Sequence, residues 1–146
     1  MSGYRFQGRA ALALDAKGRV TVPARHRQVL VENAKGLMTI TRHPGGWLML
    51  FPRPEWDLFY ERIVALPMSA NAWRRIFLGH ATDVEIDASS RVLVSPELRE
   101  SVGLVRDVVL FGNGNHLELW DSQRHAQHEA ALLQEPIPEA VQSLVV

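Results

Sequence analysis

The chain carries one pattern twice. Residues 13–27 read ALDAKGRVTVPARHR and residues 85–99 read EIDASSRVLVSPELR. Asp15, Arg19, Val20, Val22 and Arg27 recur as Asp87, Arg91, Val92, Val94 and Arg99, at a constant offset of 72 residues (87 − 15 = 72; 99 − 27 = 72). Further on, GGWLMLFP at 45–52 answers GNHLELWD at 114–121, with the offset reduced to 69 (117 − 48 = 69). Each half thus holds an Asp-x-x-x-Arg hairpin, a short helix, a second hairpin and another helix. Strands this short do not close a core alone. A duplicated unit pairs with its own copy about a pseudo-twofold axis, burying in one chain what a dimer buries between two. The expected fold class is α+β: the hairpins of both copies interdigitated into one β-barrel, with short flanking helices and a pseudo-twofold within the chain.

The local signals agree. Residues 9–14 (RAALAL) and 19–22 (RVTV) flank Ala16-Lys17-Gly18, a connection whose glycine supplies the left-handed position. Pro23 is expected at the first position of a helix over 23–33 that stops near Asn33 and Gly36. LMTITR (37–42) and WLMLF (47–51) make a hairpin across HPGG, and Pro54 opens a helix with Trp56, Phe59, Tyr60 and Ile63 on one stripe. Residues 69–80 read as a linking helix stopped by Gly79. The second copy follows in the same order, with helix starts at Ser95-Pro96 and Asp121. The last stretch, QEPIPEAVQSLVV, has two prolines and is expected to wrap on the body or fray.

Composition, 47% hydrophobic and 22% charged, is that of an ordinary globular protein. Without cysteine, neither a disulfide framework nor a thiolate metal site can form. No secretory apolar segment and no run of about 18 apolar residues occurs, so no membrane partner is expected and a cytoplasmic location is. The net charge of zero hides an asymmetry: residues 1–72 hold ten Lys+Arg against five Asp+Glu, residues 73–146 six against eleven. Within residues 1–30 the basic side chains are Arg5, Arg9, Lys17, Arg19, Arg25 and Arg27 against Asp15 alone. A polyanion is a plausible partner for the first half, and the oppositely charged halves suit head-to-tail association.

Asp15 with Arg19, and Asp87 with Arg91, read first as structural pairs that pin a hairpin register. Arg19 lies in an excess of positive charge. There its guanidinium suits bidentate contact with guanine O6 and N7, while Arg9, Lys17, Arg25 and Arg27 suit phosphates. Other chemistries fare worse. A duplicated aspartate at a pseudo-twofold is the plan of an aspartic-protease dyad, yet Asp-Ala-Lys and Asp-Ala-Ser lack the hydroxyl residue and glycine of such sites. His125 and His128 stand three apart on a helix with no third metal ligand evident. Gly112-Asn113-Gly114 is a turn rather than a phosphate loop. The four tryptophans, Trp47, Trp56, Trp73 and Trp120, are most simply core.

LDAKGRVTVPARHR, LFPRPEW, RRIFLGHATDVEIDASSRVLVSPELR and HLELWD closely resemble the MraZ family of bacterial transcriptional regulators, from about Phe6 to about Gln134. Each half is similar to an AbrB-type swapped-hairpin unit. The resemblance implies a first AbrB-like repeat at 6–66, a linking helix at 67–79, a second repeat at 80–134 and a tail at 135–146. It also implies a ring of several subunits bound to double-stranded DNA at direct repeats in the promoter of its own division and cell-wall gene cluster. Repression, nucleoid association and no cofactor go with that reading. The DNA-facing motif falls on Lys17, Gly18 and Arg19, followed by Arg25 and Arg27. The second motif has Ser90 in place of glycine and Glu97 at the position of Arg25, so the expectation is that the first repeat binds and the second builds. Two other classes compete: a ring-forming protein-interaction scaffold without specific DNA binding, and a hydrolase using paired carboxylates.

Overall fold

A computed structural model describes residues 3–145. Strands β1 (Arg9–Ala13) and β2 (Arg19–Thr21) flank the first Asp-x-x-x-Arg turn, as β5 (Thr82–Glu85) and β6 (Arg91–Leu93) flank the second. These units are not hairpin ladders, because the two strands of each part company after the turn. β1 pairs with β7 (Asp107–Gly112) of the second repeat, and β5 pairs with β3 (Leu37–Arg42) of the first. β4 (Leu48–Pro52) pairs with β3, and β8 (Leu117–Asp121) with β7, as conventional hairpins. The result is a six-stranded antiparallel sheet in the order β1-β7-β8-β4-β3-β5, with each repeat lending its first strand to the other.

The registers locate the pseudo-twofold. Val20 pairs with Val92 in the separate β2–β6 ladder, and these are equivalent positions at the offset of 72. Met49 pairs with Glu118 in β4–β8, equivalent at the offset of 69. An axis relating the halves therefore passes between both pairs. The backbone bonds at the corners obey it: Leu14 N to Arg106 O (2.8 Å) answers Ile86 N to Gly36 O (3.0 Å), and Val22 N to Ser90 O (2.8 Å) answers Val94 N to Gly18 O (2.9 Å). The expected barrel is not closed as one ladder. β1 and β5 remain the edges of the six-stranded sheet, because the chain bends away at each turn into the two-stranded β2–β6 ladder.

Alternation along the strands and their extensions sends Val20, Val22, Ile40, Leu48 and Leu50, with their counterparts Val92, Val94, Leu110, Leu117 and Leu119, into one fully buried core, joined by Leu30 from the helix at Ala24–Ala34. Each such side chain contributes roughly 1.5–3 kcal/mol on burial. The other face of β4 sends Met49 and Phe51 into a second cluster with Trp56 and Ile63 from α2 (Arg53–Val64). Trp73, expected in the core, is 42% exposed, and Tyr60, on the same stripe as Trp56 and Ile63, is 41% exposed. Pro23 is the N-cap of α1 (Ala24–Ala34), one position before the place expected. Lys35 and Gly36 end that helix in left-handed conformations, with their amides on Val31 O and Leu30 O. α3 (Asn71–His80) runs through Gly79 rather than stopping at it. Ser95 and Asp121 cap α4 (Pro96–Ser101) and α5 (Ser122–Leu132) as their sequence context predicts. The tail holds an unanticipated helix, α6 (Glu139–Leu144), and every described residue from Ala130 onward is exposed.

Candidate nucleic-acid interface

Each Asp-x-x-x-Arg turn is built around its carboxylate. Asp15 Oδ1 accepts from the amides of Lys17 and Arg19, both at 2.9 Å, and Oδ2 accepts from Arg19 Nε at 2.7 Å. Asp87 does the same with the amides of Ser89 (2.9 Å) and Arg91 (2.8 Å) and with Arg91 Nε (3.1 Å). The carboxylates thus organise the loops. The Arg19 amide above all holds Asp15 down at about 2 from its ordinary 3.8, and the Arg91 amide lowers Asp87 in the same way. A protease-like dyad needs one carboxyl raised by the other. Both are depressed here, which argues against shared-proton chemistry.

The β2–β6 ladder sets the two turns side by side, and Arg91 Nη1 comes within 3.9 Å of Asp15 Oδ2. Because Asp15 engages Arg19 through Nε, the Arg19 Nη groups stay available to a ligand on a side chain 27% exposed, whereas Arg91 also turns Nη1 toward Asp15. Lys17, at the tip of the first turn, is exposed, and among the described residues its ammonium has no ion-pair partner. Its counterpart is Ser89. Gly18 has φ +84, and a Cβ there would lie 2.9 Å from Val94 O and 2.7 Å from Arg99 Nε. Glycine is required by contact as well as by conformation. Ser90, at the equivalent position, takes φ +66 without it.

The remaining basic residues are partly committed. Arg27 Nη1 donates to Ser90 Oγ at 2.5 Å, while its counterpart Arg99 donates through Nε to Val94 O at 3.0 Å. Arg27 thus reaches the opposite repeat's turn, whereas Arg99 bonds within its own repeat and lies against Gly18 of the other. Arg25 spans back to Arg9 O (3.3 Å) and donates through Nε to His26 Nε2 (3.3 Å). Burial first, and Arg25 second, lowers the His26 pKa, consistent with a neutral imidazole whose Nε2 accepts. Arg9 is paired with Glu129 on α5 at 3.1 Å. Arg5, absent from the motif-based site, joins Arg25, Gln7 and Asn33 around an open depression of about 500 Å³. Its only sequence signal is membership of the basic N-terminal count. His125 and His128 pack on the Trp120 ring, and among the described residues no three His, Cys, Asp or Glu side chains are grouped to hold a metal ion.

A family model described as "MraZ protein, putative antitoxin-like" matches residues 6–76 and again residues 77–146. The chain belongs to the MraZ family. A protein of Leptothrix cholodnii is 62% identical over 142 residues, spanning 97% of each chain. One of Methylibium petroleiphilum is 61% identical over 141 residues, again 97% of each. One of Burkholderia vietnamiensis is 54% identical over 138 residues, 94% of this chain and 97% of its own. All three carry the name transcriptional regulator MraZ. The twofold match of the MraZ family model agrees with the two repeats in the register of the sheet.

Proposed function

We propose that this chain is a DNA-binding transcriptional regulator and not an enzyme. The observation that carries the reading is the pair of Asp-organised turns held side by side, with Lys17 exposed at the tip of the first and the Arg19 Nη groups not taken by its aspartate. The relatives' name supports it. Arg19 reads a base edge through its free Nη fork, and Lys17, Arg9, Arg25 and Arg27 hold phosphates, Arg9 and Arg25 by exchanging their present partners. Gly18 serves the site from beneath, packing against Val94 O and Arg99 and so seating the first turn on the second repeat. The first repeat carries most of the contact because Lys17 and Arg25 have Ser89 and Glu97 as counterparts.

At the finer level, the protein acts as a repressor, associated with the nucleoid, at direct repeats upstream of its own division and cell-wall gene cluster. It does so as a ring, built head to tail from halves of charge +5 (10 − 5) and −5 (6 − 11). Among the described residues no helix is long and apolar enough to cross a membrane. Footprinting on the DNA upstream of its own gene tests this directly. The expected result is protection of evenly spaced repeats. Uniform protection of unrelated DNA would contradict it.

A further inference from the structure

Where β4 meets β8, the face of the sheet turned away from the main core carries a pocket. Met49 and Glu118 pair directly across that ladder, so their side chains share the face, and Phe51 joins them by alternation. α2 adds Phe59 and Arg62, and α3 adds Phe77. The pocket holds about 370 Å³, within the range of small-ligand sites. Glu118, 6% exposed, is its buried charge and is ionised at neutral pH. Asn113 Nδ2 and Trp120 Nε1 donate to one oxygen each at 3.0 Å, and His116 Nε2 stands 3.6 Å off, which leaves the carboxylate room for a further donor. His43, also lining the pocket, feels the Glu118 charge. Its Nδ1 accepts from the Gly45 amide at 2.8 Å, so its proton sits on Nε2, a donor without a partner among the described residues. Arg62 is exposed at the rim, and among the described residues its guanidinium makes no ion pair.

The second repeat is an internal control. At the offset of 69, the stack of His116 on Phe51 (centroids 4.9 Å apart) answers that of Trp47 on Trp120 (4.0 Å), where a larger pair of rings covers the sheet. The polar groups of the pocket fall where the copies differ. Asn113 and Glu118 answer Pro44 and Met49, while Arg62 and His43 answer to Ala131 and Gly112. Packing alone gives no reason to bury a carboxylate where the other copy has methionine. The two full charges also restrict the ligand. A simple cation suits Glu118 and is repelled by Arg62, and a simple anion the reverse. A flat ring with N–H donors at one end and an anionic group at the other satisfies both, and the phenylalanine walls receive its faces.

We propose that this pocket binds a nucleoside monophosphate whose base carries an amino group. The base lies against Phe51, Phe59 and Phe77, its amino group donates to Glu118, a ring nitrogen accepts from His43 Nε2, and the phosphate meets Arg62. None of these residues belongs to the Asp-x-x-x-Arg turns, so the site stands or falls apart from the DNA reading. Titration calorimetry on the full-length protein, free of DNA, tests it with AMP, CMP, adenosine, ribose 5-phosphate and purine riboside monophosphate, which is AMP without its amino group. At least one of AMP and CMP should bind saturably, and ribose 5-phosphate should not. Purine riboside monophosphate should bind at least about tenfold more weakly than AMP. Arg62→Ala, at an exposed position, should weaken AMP about tenfold and leave adenosine unchanged. Glu118→Gln should abolish the preference for AMP over purine riboside monophosphate, a ratio that only folded molecules report. Binding of neither nucleotide, or ribose 5-phosphate binding as tightly as they do, overturns the proposal. An ineffective Arg62→Ala overturns the phosphate contact, and an unchanged ratio in Glu118→Gln overturns the base contact.

Discussion

In the proposed reading, the aspartates of the two turns hold structure and the arginines recognise DNA. Asp15, Asp87 and the buried Glu118 all titrate below their ordinary values. For Glu118, burial pushes upward but is outweighed by contacts from His116, Asn113 and Trp120, which bring it from 4.5 to about 2. The hydrogen bonds come from Asn113 and Trp120, both at 3.0 Å; His116 Nε2, at 3.6 Å, is a longer ionic contact. A depressed folded pKa contributes stability that is fully present above the unfolded value and lost as pH falls through the folded one. Stability should therefore decline between about 4.5 and about 2. In denaturant melts across that window, Asp15→Asn and Glu118→Gln should each flatten the decline; an unchanged slope would contradict these assignments. Asp87→Ala should lower the melting temperature while DNA affinity per folded molecule stays near wild type. Arg19→Ala should cost roughly 1–3 kcal/mol on specific DNA. Lys17→Ala should weaken specific and non-specific binding alike and flatten the salt slope by about one. Arg91→Ala should leave most of the affinity, and losses equal to those of Arg19→Ala would mean that both turns share the contact.

At the scale of elements, the repeat announced the architecture, and the side chains' commitments stayed hidden. A constant offset between two Asp-x-x-x-Arg turns was enough to infer a pseudo-twofold and interlocked copies. It did not reveal that β1 and β2 part at the turn, since alternation reports which face a residue takes and not which strand it joins. Gly79 is no stop because a lone glycine is tolerated inside a helix as well as at its end, and α6 is not legible because the two prolines just before it, Pro136 and Pro138, signal breaks more strongly than six residues signal a helix. The motif residues at the turns were legible since Asp, Gly and Arg each have one local role there. Arg9 with Glu129, Arg27 with Ser90 and Arg91 near Asp15 were not, because those partners lie 120, 63 and 76 residues away. Contact between the repeats also sets a test. Gly18→Ala meets both a left-handed backbone and Val94 O, whereas Gly103→Ala, at φ +68 with nothing within 4 Å, meets the backbone term alone. That term is about 1–2 kcal/mol. Gly18→Ala should be clearly the more destabilising in chemical denaturation, and Arg99→Ala should not rescue it, since Val94 O remains. Equal costs would remove the close-approach argument.

At the scale of the molecule, one chain performs the pairing of a dimer, leaving its outer charge free for association and for DNA. The proposed ring, binding adjacent repeats, would multiply small per-site energies through effective concentration, so that modest losses at single residues would appear large in the assembled protein. The central claim is that the paired turns form a phosphate- and base-reading surface centred on the first repeat. Its most direct measurement is the equilibrium affinity of the full-length protein for the DNA upstream of its own gene, and for unrelated DNA of equal length, across a salt series. The account predicts preference for the upstream DNA and a steep fall of log K with log salt, about −0.9 per phosphate neutralised. Lys17→Ala should make that slope shallower, and Arg19→Ala should erase most of the preference. Equal affinity for both DNAs with a flat salt dependence would contradict the claim and leave the protein a scaffold rather than a reader of DNA.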